Sequence, residues 1–344
     1  MNRVPLWMVA VMALFAGCQS GPTDVLARFE FERPEMGLPF RMVLYAPDAQ
    51  AARLASEAAF ARIEELNASL SDYDERSELS RLSTTAGSGR WVPLGPDLAR
   101  VLRAADAVSR ASDGAFDVTV GPLVQLWKRA RRQRELPGEA PLAAARAATG
   151  WTHLCLRRVG DGWEARLERP GMRLDLGGIA KGFALDEAGR VLRQRGLSRF
   201  LVSGGGDMVA GDPPPGVRGW RVEIGVFDAP QSPAPRFVLL KNAALATSGD
   251  TFQRAEIGGR RYSHIVDPRT GIGLTDHGLV TVIAPSGMDA DALSKVFSVL
   301  GAERAWPIAR PYGVQAILLR MPGDRIEEWQ SPGFRRWLDP SATP

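Results

Sequence analysis

Cysteine, histidine and lysine are scarce in this sequence of 344 residues, which contains two cysteines, three histidines and four lysines. The few cysteines and histidines form no cluster with the spacing of metal ligands, which excludes a zinc site of that kind. No convincing Ser/His/Asp arrangement indicates a serine hydrolase. Arginine carries nearly all of the positive charge, so a retained lysine is a candidate for a role that the bulkier guanidinium cannot fill.

The first 17 residues have the pattern of a signal peptide. Arg3 precedes an apolar run from Val4 to Ala16, which is far shorter than the ~20 residues of a membrane-spanning helix. Small residues then precede Cys18, as in a lipoprotein cleavage box, where the cysteine becomes the acylated N-terminus. Phe15 is less usual at its position, so an ordinary cleaved signal peptide is the alternative. We predict a signal peptide over residues 1–17 and membrane anchoring through lipidated Cys18.

Export would place the protein at the periplasmic face of a membrane. Gln19 stands where an aspartate often marks inner-membrane retention, so we expect the outer membrane rather than the inner one. Residues 18–30 are predicted to be a lipidated N-terminus and tether. No repeat, low-complexity block or obvious linker divides residues 31–344, which predicts one large domain or two intimately joined lobes. With Cys18 lipidated, Cys155 has no partner for an intrachain disulfide and is predicted to be a buried thiol.

The net charge is +4, and its cations are dispersed apart from one local cluster, KRARRQR, at Lys128–Arg134. This cluster is more typical of a solvated helical face than of a nucleic-acid interface. An exported protein also does not meet nucleic acid routinely. We therefore predict no nucleic-acid partner.

Apolar periodicity predicts both helices and strands. Helical spacing occurs over Gln50–Leu66, Leu98–Ala107 and Gly182–Arg195. Pro122 begins a further helix at a position that proline tolerates. Residues 153–168 are predicted to form two strands around a tight turn. Strands ending in polar or glycine-rich loops are predicted in RFLVSGGGD (199–207), WRVEIGVFD (220–228) and RFVLLKNAALATSGD (236–250). Because hairpins predominate, the predicted fold class is α+β, with largely antiparallel sheets and packed helices.

The stretch LDLGGIAKGFALDEAG, residues 174–189, predicts a strand that ends at Asp175, a turn through Gly177 and Gly178, and an amphipathic helix. Such a turn brings backbone close to a ligand and directs free N–H groups of the helix N-terminus toward it, which suits a phosphate. The pattern matches neither a Walker loop nor G-x-G-x-x-G, so an ordinary tight turn is the alternative. Lys181, in the first helical turn, favours the phosphate site, because its ammonium is compact.

Other segments also crowd polar and glycine residues between apolar runs. They are LSDYDERSELSRLS (70–83), SDGAFDVTVGPLVQLW (112–127), ALATSGDTF (244–252), RYSHIVDPRTG (261–271) and MDADALSKVFSVLG (288–301). In order and spacing, these segments and LDLGGIAKG resemble the motifs of the ApbE family of FAD:protein FMN transferases. Each motif alone is weak, but the combination is highly specific. The resemblance covers about residues 36–301.

The resemblance implies an enzyme that binds FAD, uses Mg²⁺ and attaches FMN to a threonine or serine of an exported or membrane-bound flavoprotein, releasing AMP. Some family members act mainly as FAD hydrolases. An FAD pyrophosphatase and a lipoprotein that binds flavin without chemistry are therefore the alternatives. Chemically, the transfer needs a cation on the pyrophosphate, a surface for a flat heterocycle and a base near the acceptor hydroxyl.

The resemblance assigns flavin contacts to Met36 and Tyr73, whose thioether and phenol suit the face of an isoalloxazine ring. A core position is the alternative reading of Met36, and also of Tyr73, although Tyr73 is set in a polar loop. The family usually has Met-Gly-Thr at the first motif, whereas Leu38 follows Gly37 here, so this motif is only partly kept. Further contacts with FAD are implied for Ala115, Phe116, Asp117, Asp175, Lys181 and Ile265.

For Mg²⁺, the resemblance implies the carbonyl oxygen of Gly178 together with Asp291 and Ser294. The last two are three residues apart on a helix predicted to begin after Asp289, so they face the same way and offer the oxygen ligands that Mg²⁺ prefers. We expect the Asp291 carboxylate to be dispensable to folding. Lys295 stands where the family has threonine. Its ammonium repels a metal at close range, so either it turns away or its charge partly replaces the metal on the phosphate.

His264, in SHIVDP, is the candidate for the base that takes the proton of the acceptor hydroxyl, because an ordinary imidazole pKa near 6.5 suits that role. A structural histidine, hydrogen-bonded to the turn at Asp267, is the alternative. Asp250 of TSGD is the next candidate for the base. His153 and His277 have no comparable neighbours in the sequence.

Overall fold

The computed structural model describes residues 26–225, 232, 234–249, 254–323 and 325–342. The predicted signal peptide, Cys18 and Asp250 lie outside the described residues. None of the helices in the described part of the chain is long and apolar enough to cross a membrane.

The helices of the described residues confirm the periodicity of the sequence. The carboxylate of Asp48 caps the first helix by accepting a hydrogen bond from the N–H of Ala51 at 2.8 Å. Pro96 and Pro122 lie in the first turns of the third and fourth helices, as expected of proline. The helices are α1 (Ala49–Leu70), α2 (Glu78–Ser83), α3 (Pro96–Ala111), α4 (Gly121–Gln133), α5 (Glu139–Ala147), α6 (Ala180–Gln194), α7 (Gly287–Leu300) and α8 (Ala302–Ala309).

The strands pair almost entirely in antiparallel fashion. In chain order they are β1 (Ala27–Glu35), β2 (Leu38–Ala46), β3 (Val92–Leu94), β4 (Leu154–Val159), β5 (Gly162–Leu167), β6 (Phe200–Gly204), β7 (Asp207–Ala210), β8 (Trp220–Ile224), β9 (Arg236–Leu240), β10 (Ala243–Gly249), β11 (Arg254–Ile257), β12 (Arg260–Ser263), β13 (Val266–Asp267), β14 (Ile272–Gly273), β15 (Gly278–Ala284), β16 (Gln315–Arg320) and β17 (Glu327–Gln330). The largest sheet has eight strands in the order β1-β2-β6-β7-β10-β15-β16-β17. The predicted α+β class with largely antiparallel sheets is confirmed.

The eight-stranded sheet is covered on both faces. Helices α1, α6 and α7 pack on one face and bury the main apolar core, which includes Phe183, Phe200 and Phe297. On the other face, Trp220 and Val238 of the β8–β9 hairpin pack with core residues of the sheet. A separate cluster joins α4 and α5 to the β11–β12 hairpin. The sheet therefore forms the middle layer, and the face covered by helices carries the residues of the candidate site described below.

Three sequence-based expectations need correction. The first strand begins at Ala27, so residues 27–30 belong to the sheet rather than to a tether. The stretch before Asp175 is not a strand. Among the described residues it forms a single isolated parallel bridge, between Arg173 and Val120 in the short loop before α4. Cys155 is half-buried rather than buried, since it lies in β4 of the small β3-β5-β4 sheet.

Helices α6 and α7 cross at two glycines. A Cβ atom on Gly182 would lie 2.0 Å from the carbonyl oxygen of Gly287, and one on Gly287 would lie 2.5 Å from the carbonyl oxygen of Gly182. The carboxylate of Asp186 accepts the N–H groups of Gly287 and Met288 at 2.6 and 2.9 Å, which satisfies the first turn of α7. The two helix starts are thus held in one register.

We expect Gly182→Ala to lower the free energy of unfolding by about 3 kcal/mol or more, because the added methyl group cannot fit without separating α6 from α7. Guanidinium-induced unfolding would measure this loss. Gly162→Ala is the matched control, since a Cβ atom there meets nothing closer than the carbonyl oxygen of Val159 at 3.7 Å. Equal stability of the two variants would contradict the close crossing.

Candidate active site

Lys181 lies in the first turn of α6 between two buried carboxylates. Its Nζ donates to Asp207 Oδ2 at 2.6 Å and lies 3.3 Å from Asp291 Oδ2. Asp207 begins β7 and Asp291 lies one turn into α7, so the glycine crossing and the adjoining sheet bring the three side chains together. A predicted FAD contact and a predicted metal ligand are therefore direct neighbours.

Lys295 lies within the same cluster and does not turn away. Its Nζ is 2.7 Å from Ser248 Oγ, 2.8 Å from Asp291 Oδ1 and 3.1 Å from Ser294 Oγ. Ser294 in turn donates to the main-chain oxygen of Asp291 at 2.7 Å. The helix begins at Gly287, three residues earlier than the sequence suggested, and Asp291 and Ser294 do face the same way, as predicted.

The charges of this cluster shift one another's pKa. Burial lowers the pKa of Lys181, but Asp291 and Asp207 outweigh that effect and hold it well above its usual range. Burial raises the pKa of Asp291, but Lys181 and Lys295 together hold it below its ordinary value. For Asp207, burial prevails over the attraction of Lys181 and raises the pKa. Asp291 thus lies between two ammonium groups that lower its pKa, and this geometry favours a contribution of its carboxylate to folding over the dispensable role expected from the sequence.

The glycine turn before α6 lies against the cluster. A Cβ atom on Gly178 would be 3.2 Å from Cγ of Lys295 and 3.4 Å from the ring of Phe116. The N–H groups around this turn are only partly free for a ligand, since that of Gly177 donates to Asp175 Oδ1 at 2.8 Å and that of Gly182 to Asp291 Oδ2 at 3.3 Å. The ammonium groups of the lysines, rather than bare N–H groups, are thus the main cationic feature.

A second patch of side chains lies near Asp175, at the start of the segment that leads through the glycine turn to Lys181. Tyr73 is 79% exposed, and the ammonium of Lys128 lies 4.3 Å from the centre of its ring. Lys128 also lies 3.4 Å from Asp72 Oδ2 and 3.9 Å from Asp175 Oδ2. Burial and the charge of Asp72 raise the pKa of Asp175. An exposed aromatic ring with polar groups beside it offers a face to a flat ligand.

The loop between α3 and α4 lies beneath these patches. Ala115, Phe116 and Asp117 are all buried, and their contact with FAD stays a prediction. Asp117 Oδ1 accepts hydrogen bonds from the N–H and the hydroxyl of Thr119, both at 2.7 Å. Burial raises the pKa of Asp117 to about 6, although these hydrogen bonds act in the opposite direction.

The β1–β2 hairpin carries the first motif toward Lys181. Met36 and Gly37 form its turn with φ values of 50° and 75°, so Met36 adopts a left-handed conformation that is uncommon for its type. A Cβ atom on Gly205 would lie 2.6 Å from Leu38 and 3.6 Å from Cδ of Lys181. Leu38, where the family has threonine, therefore places an apolar group beside this lysine.

His264 and Ile265 lie in the segment between β12 and β13. Hydrogen bonds with Leu274 on both sides hold this segment, at 2.7 Å for Ser263 and 2.8 Å for Ile265. A cleft of about 240 Å³ opens here, lined by Ile265, Gly249 of β10 and Phe297 of α7. Ligand pockets usually measure ~300–1,000 Å³, so the cleft is large enough for only part of a dinucleotide. The role of His264 as a base stays a prediction.

Three residues of the site were missed in the sequence. Asp207 begins β7 and Ser248 lies next to the end of β10, and neither strand has an unusual sequence pattern. Only tertiary packing shows that Asp207 contacts Lys181 and that Ser248 contacts Lys295. Lys128 was assigned to a solvated basic face, although the scarcity of lysine was a usable signal. Three of the four lysines lie in these two patches, while Lys241 is exposed in the link between β9 and β10.

Comparison with known proteins places this arrangement in a family. The model of the ApbE family matches residues 36–318. The chain belongs to the ApbE family. It is 30% identical over 343 residues to the FAD:protein FMN transferase of Escherichia coli K12, with 96% of each chain covered. To the FAD:protein FMN transferase of Vibrio cholerae it is 30% identical over 339 residues, covering 96% of this chain and 98% of that one.

Solved structures of ApbE proteins have the same fold. The apo form of the flavinyl transferase ApbE of Pseudomonas stutzeri superposes with a TM-score of 0.78 at 30% identity, covering 91% of this chain and 97% of that one. The flavin transferase ApbE of Vibrio cholerae gives a TM-score of 0.79 at 29% identity, covering 91% of this chain and all of that one. The predicted family is therefore confirmed.

We expect Asp291→Ala to lower the free energy of unfolding by about 3–5 kcal/mol, because it leaves the ammonium groups of Lys181 and Lys295 without their shared carboxylate. Asp289→Ala is the matched control on the same helix, and we expect it to cost about 1 kcal/mol, since the half-buried Asp289 carboxylate accepts only the hydroxyl of Ser286 at 2.7 Å. Chemical unfolding of both variants would measure the difference. If both lost the same amount, Asp291 would not compensate the charges of Lys181 and Lys295 as described.

Proposed function

We propose that this chain transfers FMN from FAD to a threonine or serine hydroxyl of an acceptor flavoprotein and releases AMP. The relatives named above support this activity. The observation that carries it is the segment Asp175–Lys181, which connects two different patches. The Asp175 end of the segment lies by the exposed ring of Tyr73 and the ammonium of Lys128. The Lys181 end lies in the charge cluster that also contains Lys295.

The two patches match the two halves of the chemistry. The ring of Tyr73 suits stacking against a flavin, which is flat and aromatic. Ammonium groups stabilise the charge that develops on pyrophosphate oxygens when the bond to the leaving phosphate breaks. In the proposed step, the acceptor oxygen forms a bond to the phosphorus of the FMN moiety, the bond from that phosphorus to the AMP oxygen breaks, and His264 takes the hydroxyl proton.

The magnesium ion predicted from the sequence meets a donor set that does not fit it. Asp291 and Ser294 lie side by side as expected, but the ammonium of Lys295 already contacts both. Among the described residues no group of three or more histidine, cysteine, aspartate or glutamate side chains could hold a metal ion. Mg²⁺ therefore enters no step of the proposal, and its requirement stays a prediction for experiment.

We also propose that the chain is an exported lipoprotein anchored by Cys18 at the periplasmic face, with the outer membrane favoured over the inner one. The proposal depends on the apolar run before Cys18 and on Gln19 after it. An exported enzyme would meet the exported or membrane-bound flavoproteins that need covalent FMN.

The first test of the proposed function is FAD binding. Tyr73→Ala should weaken FAD binding about 5- to 100-fold, because aromatic stacking on a base is worth ~1–3 kcal/mol. The exposed ring contributes little to the stability of the fold, so the variant should remain folded. Isothermal titration with FAD would measure the dissociation constant. Tyr73→Phe keeps the ring and should bind within about threefold of the wild type. If Tyr73→Ala bound FAD as tightly as Tyr73→Phe, the flavin would lie elsewhere.

The second test separates transfer from hydrolysis. The full-length chain is incubated with FAD and the FMN-free form of a flavoprotein domain whose target is a threonine, and separately with the Thr→Val form of that domain, while gel fluorescence and free AMP are followed. Flavin on the threonine form alone supports the proposal. AMP release without labelled acceptor would indicate a pyrophosphatase, and intact bound FAD a lipoprotein that only binds flavin.

In that assay His264→Ala should reduce transfer to the acceptor by about 10²- to 10⁴-fold, because a threonine hydroxyl is a weak nucleophile without a positioned base. Release of AMP without acceptor should fall much less, and FAD binding should stay within a few fold. His153→Ala, which changes a histidine paired with Glu168 at 3.5 Å, is the control. Equal loss of both reactions together with weakened FAD binding would mean that His264 shapes the pocket instead.

A further inference from the structure

The ammonium of Lys295 is surrounded by oxygen atoms as a bound cation would be. Ser248 Oγ, Asp291 Oδ1 and Ser294 Oγ lie at 2.7, 2.8 and 3.1 Å, and the main-chain oxygen of Asp291 lies at 3.4 Å. Ser248, Asp291 and Ser294 are all buried. These include two of the three residues to which the family resemblance assigns the metal, and a Cβ atom added to the third, Gly178, would lie 3.2 Å from Cγ of Lys295.

Helix geometry explains why Lys295 reaches this place. It follows Asp291 by four residues on α7, so the two side chains lie on one face of the helix. Helical side chains lean toward the N-terminus, which directs the long lysine chain back over Asp291. Threonine at the same position is uncharged and would bring no cation there.

The charge of the cluster opposes a second cation. Lys181 and Lys295 formally balance Asp207 and Asp291, so an added Mg²⁺ would leave a double positive charge in a buried site. Mg²⁺ also needs oxygen ligands at about 2.0–2.1 Å in a near-octahedral arrangement, whereas the oxygens here are spaced around a hydrogen-bonding ammonium. A metal could enter only if the Lys295 side chain left.

We infer that the ammonium of Lys295 permanently occupies the cation position of this site, so that the chain needs no divalent metal there. The Lys295 side chain keeps 17% of its surface exposed, so it is not fully enclosed by the protein. For catalysis, the inference rests on the proposed function, since the same ammonium would then stabilise the pyrophosphate during transfer. For metal binding, it stands on the geometry alone.

Metal binding tests the inference without any assay of activity. Wild-type protein should show no stoichiometric Mn²⁺ binding by electron paramagnetic resonance, and its melting temperature should be the same in Mg²⁺ and in EDTA. Lys295→Thr should bind Mn²⁺ and melt about 5 °C higher in Mg²⁺ than in EDTA, because a ligand that binds only the folded state stabilises it. Lys241→Thr, which changes an exposed lysine outside the site, should behave as the wild type.

Two results would overturn the inference: Mn²⁺ binding by the wild type, or a folded Lys295→Thr protein that binds none. If Lys295→Thr does not fold in EDTA, folding on addition of Mg²⁺ supports the inference, and failure to fold in both conditions overturns it. In the transfer assay, EDTA should change wild-type activity less than twofold and reduce that of Lys295→Thr more than tenfold. A tenfold loss in the wild type would also overturn it. Absence of transfer by every protein, with the metal-binding pattern intact, would refute the proposed function but leave the inference standing.

Discussion

The contact between Gly182 and Gly287 is the constraint on which the rest of the site depends. Because neither residue has a side chain, the starts of α6 and α7 approach until backbone meets backbone. Lys181 and Asp291 flank this crossing, and their pairing follows from it. Asp186 holds the register by accepting two N–H groups at the start of α7. A wider crossing would separate the charges that make up the candidate site.

The buried charges select lysine over arginine. A guanidinium is a wide planar fork, whereas an ammonium is a compact group that can donate in three directions. Lys181 and Lys295 both lie within 3.3 Å of the Asp291 carboxylate, on opposite oxygens. Removing one member of such a cluster leaves an uncompensated charge, while the intact cluster adds little net stability. Its retention in an arginine-rich chain is therefore better explained by chemistry at the site than by the needs of folding.

The patch around Tyr73 is connected to the protein differently. Tyr73 projects from a loop, where the ammonium of Lys128 lies against its ring, so this surface is far more exposed than the lysine cluster. Helix α4 also anchors the motif that contains His264, because Trp127 donates to the carbonyl oxygen of Gly271 at 2.9 Å. One helix thus links the patch around Tyr73 with the segment of the candidate base. Two residues depart from the family pattern. Leu38 lies close to Lys181, and Lys295 lies close to Asp291.

The sequence by itself determined the family, the α+β class, the helices and most of the hairpins, because these depend on local periodicity and on short motifs. It also placed Asp291 and Ser294 on one helical face, since their spacing is a property of any helix. Only the tertiary structure decided that Asp207 and Ser248, from separate strands, complete the cluster. It also showed that Lys295 does not turn away from Asp291. That position depends on whether oxygen atoms from β10 and α7 converge on one point, and distances between elements are not encoded in the spacing along a single segment.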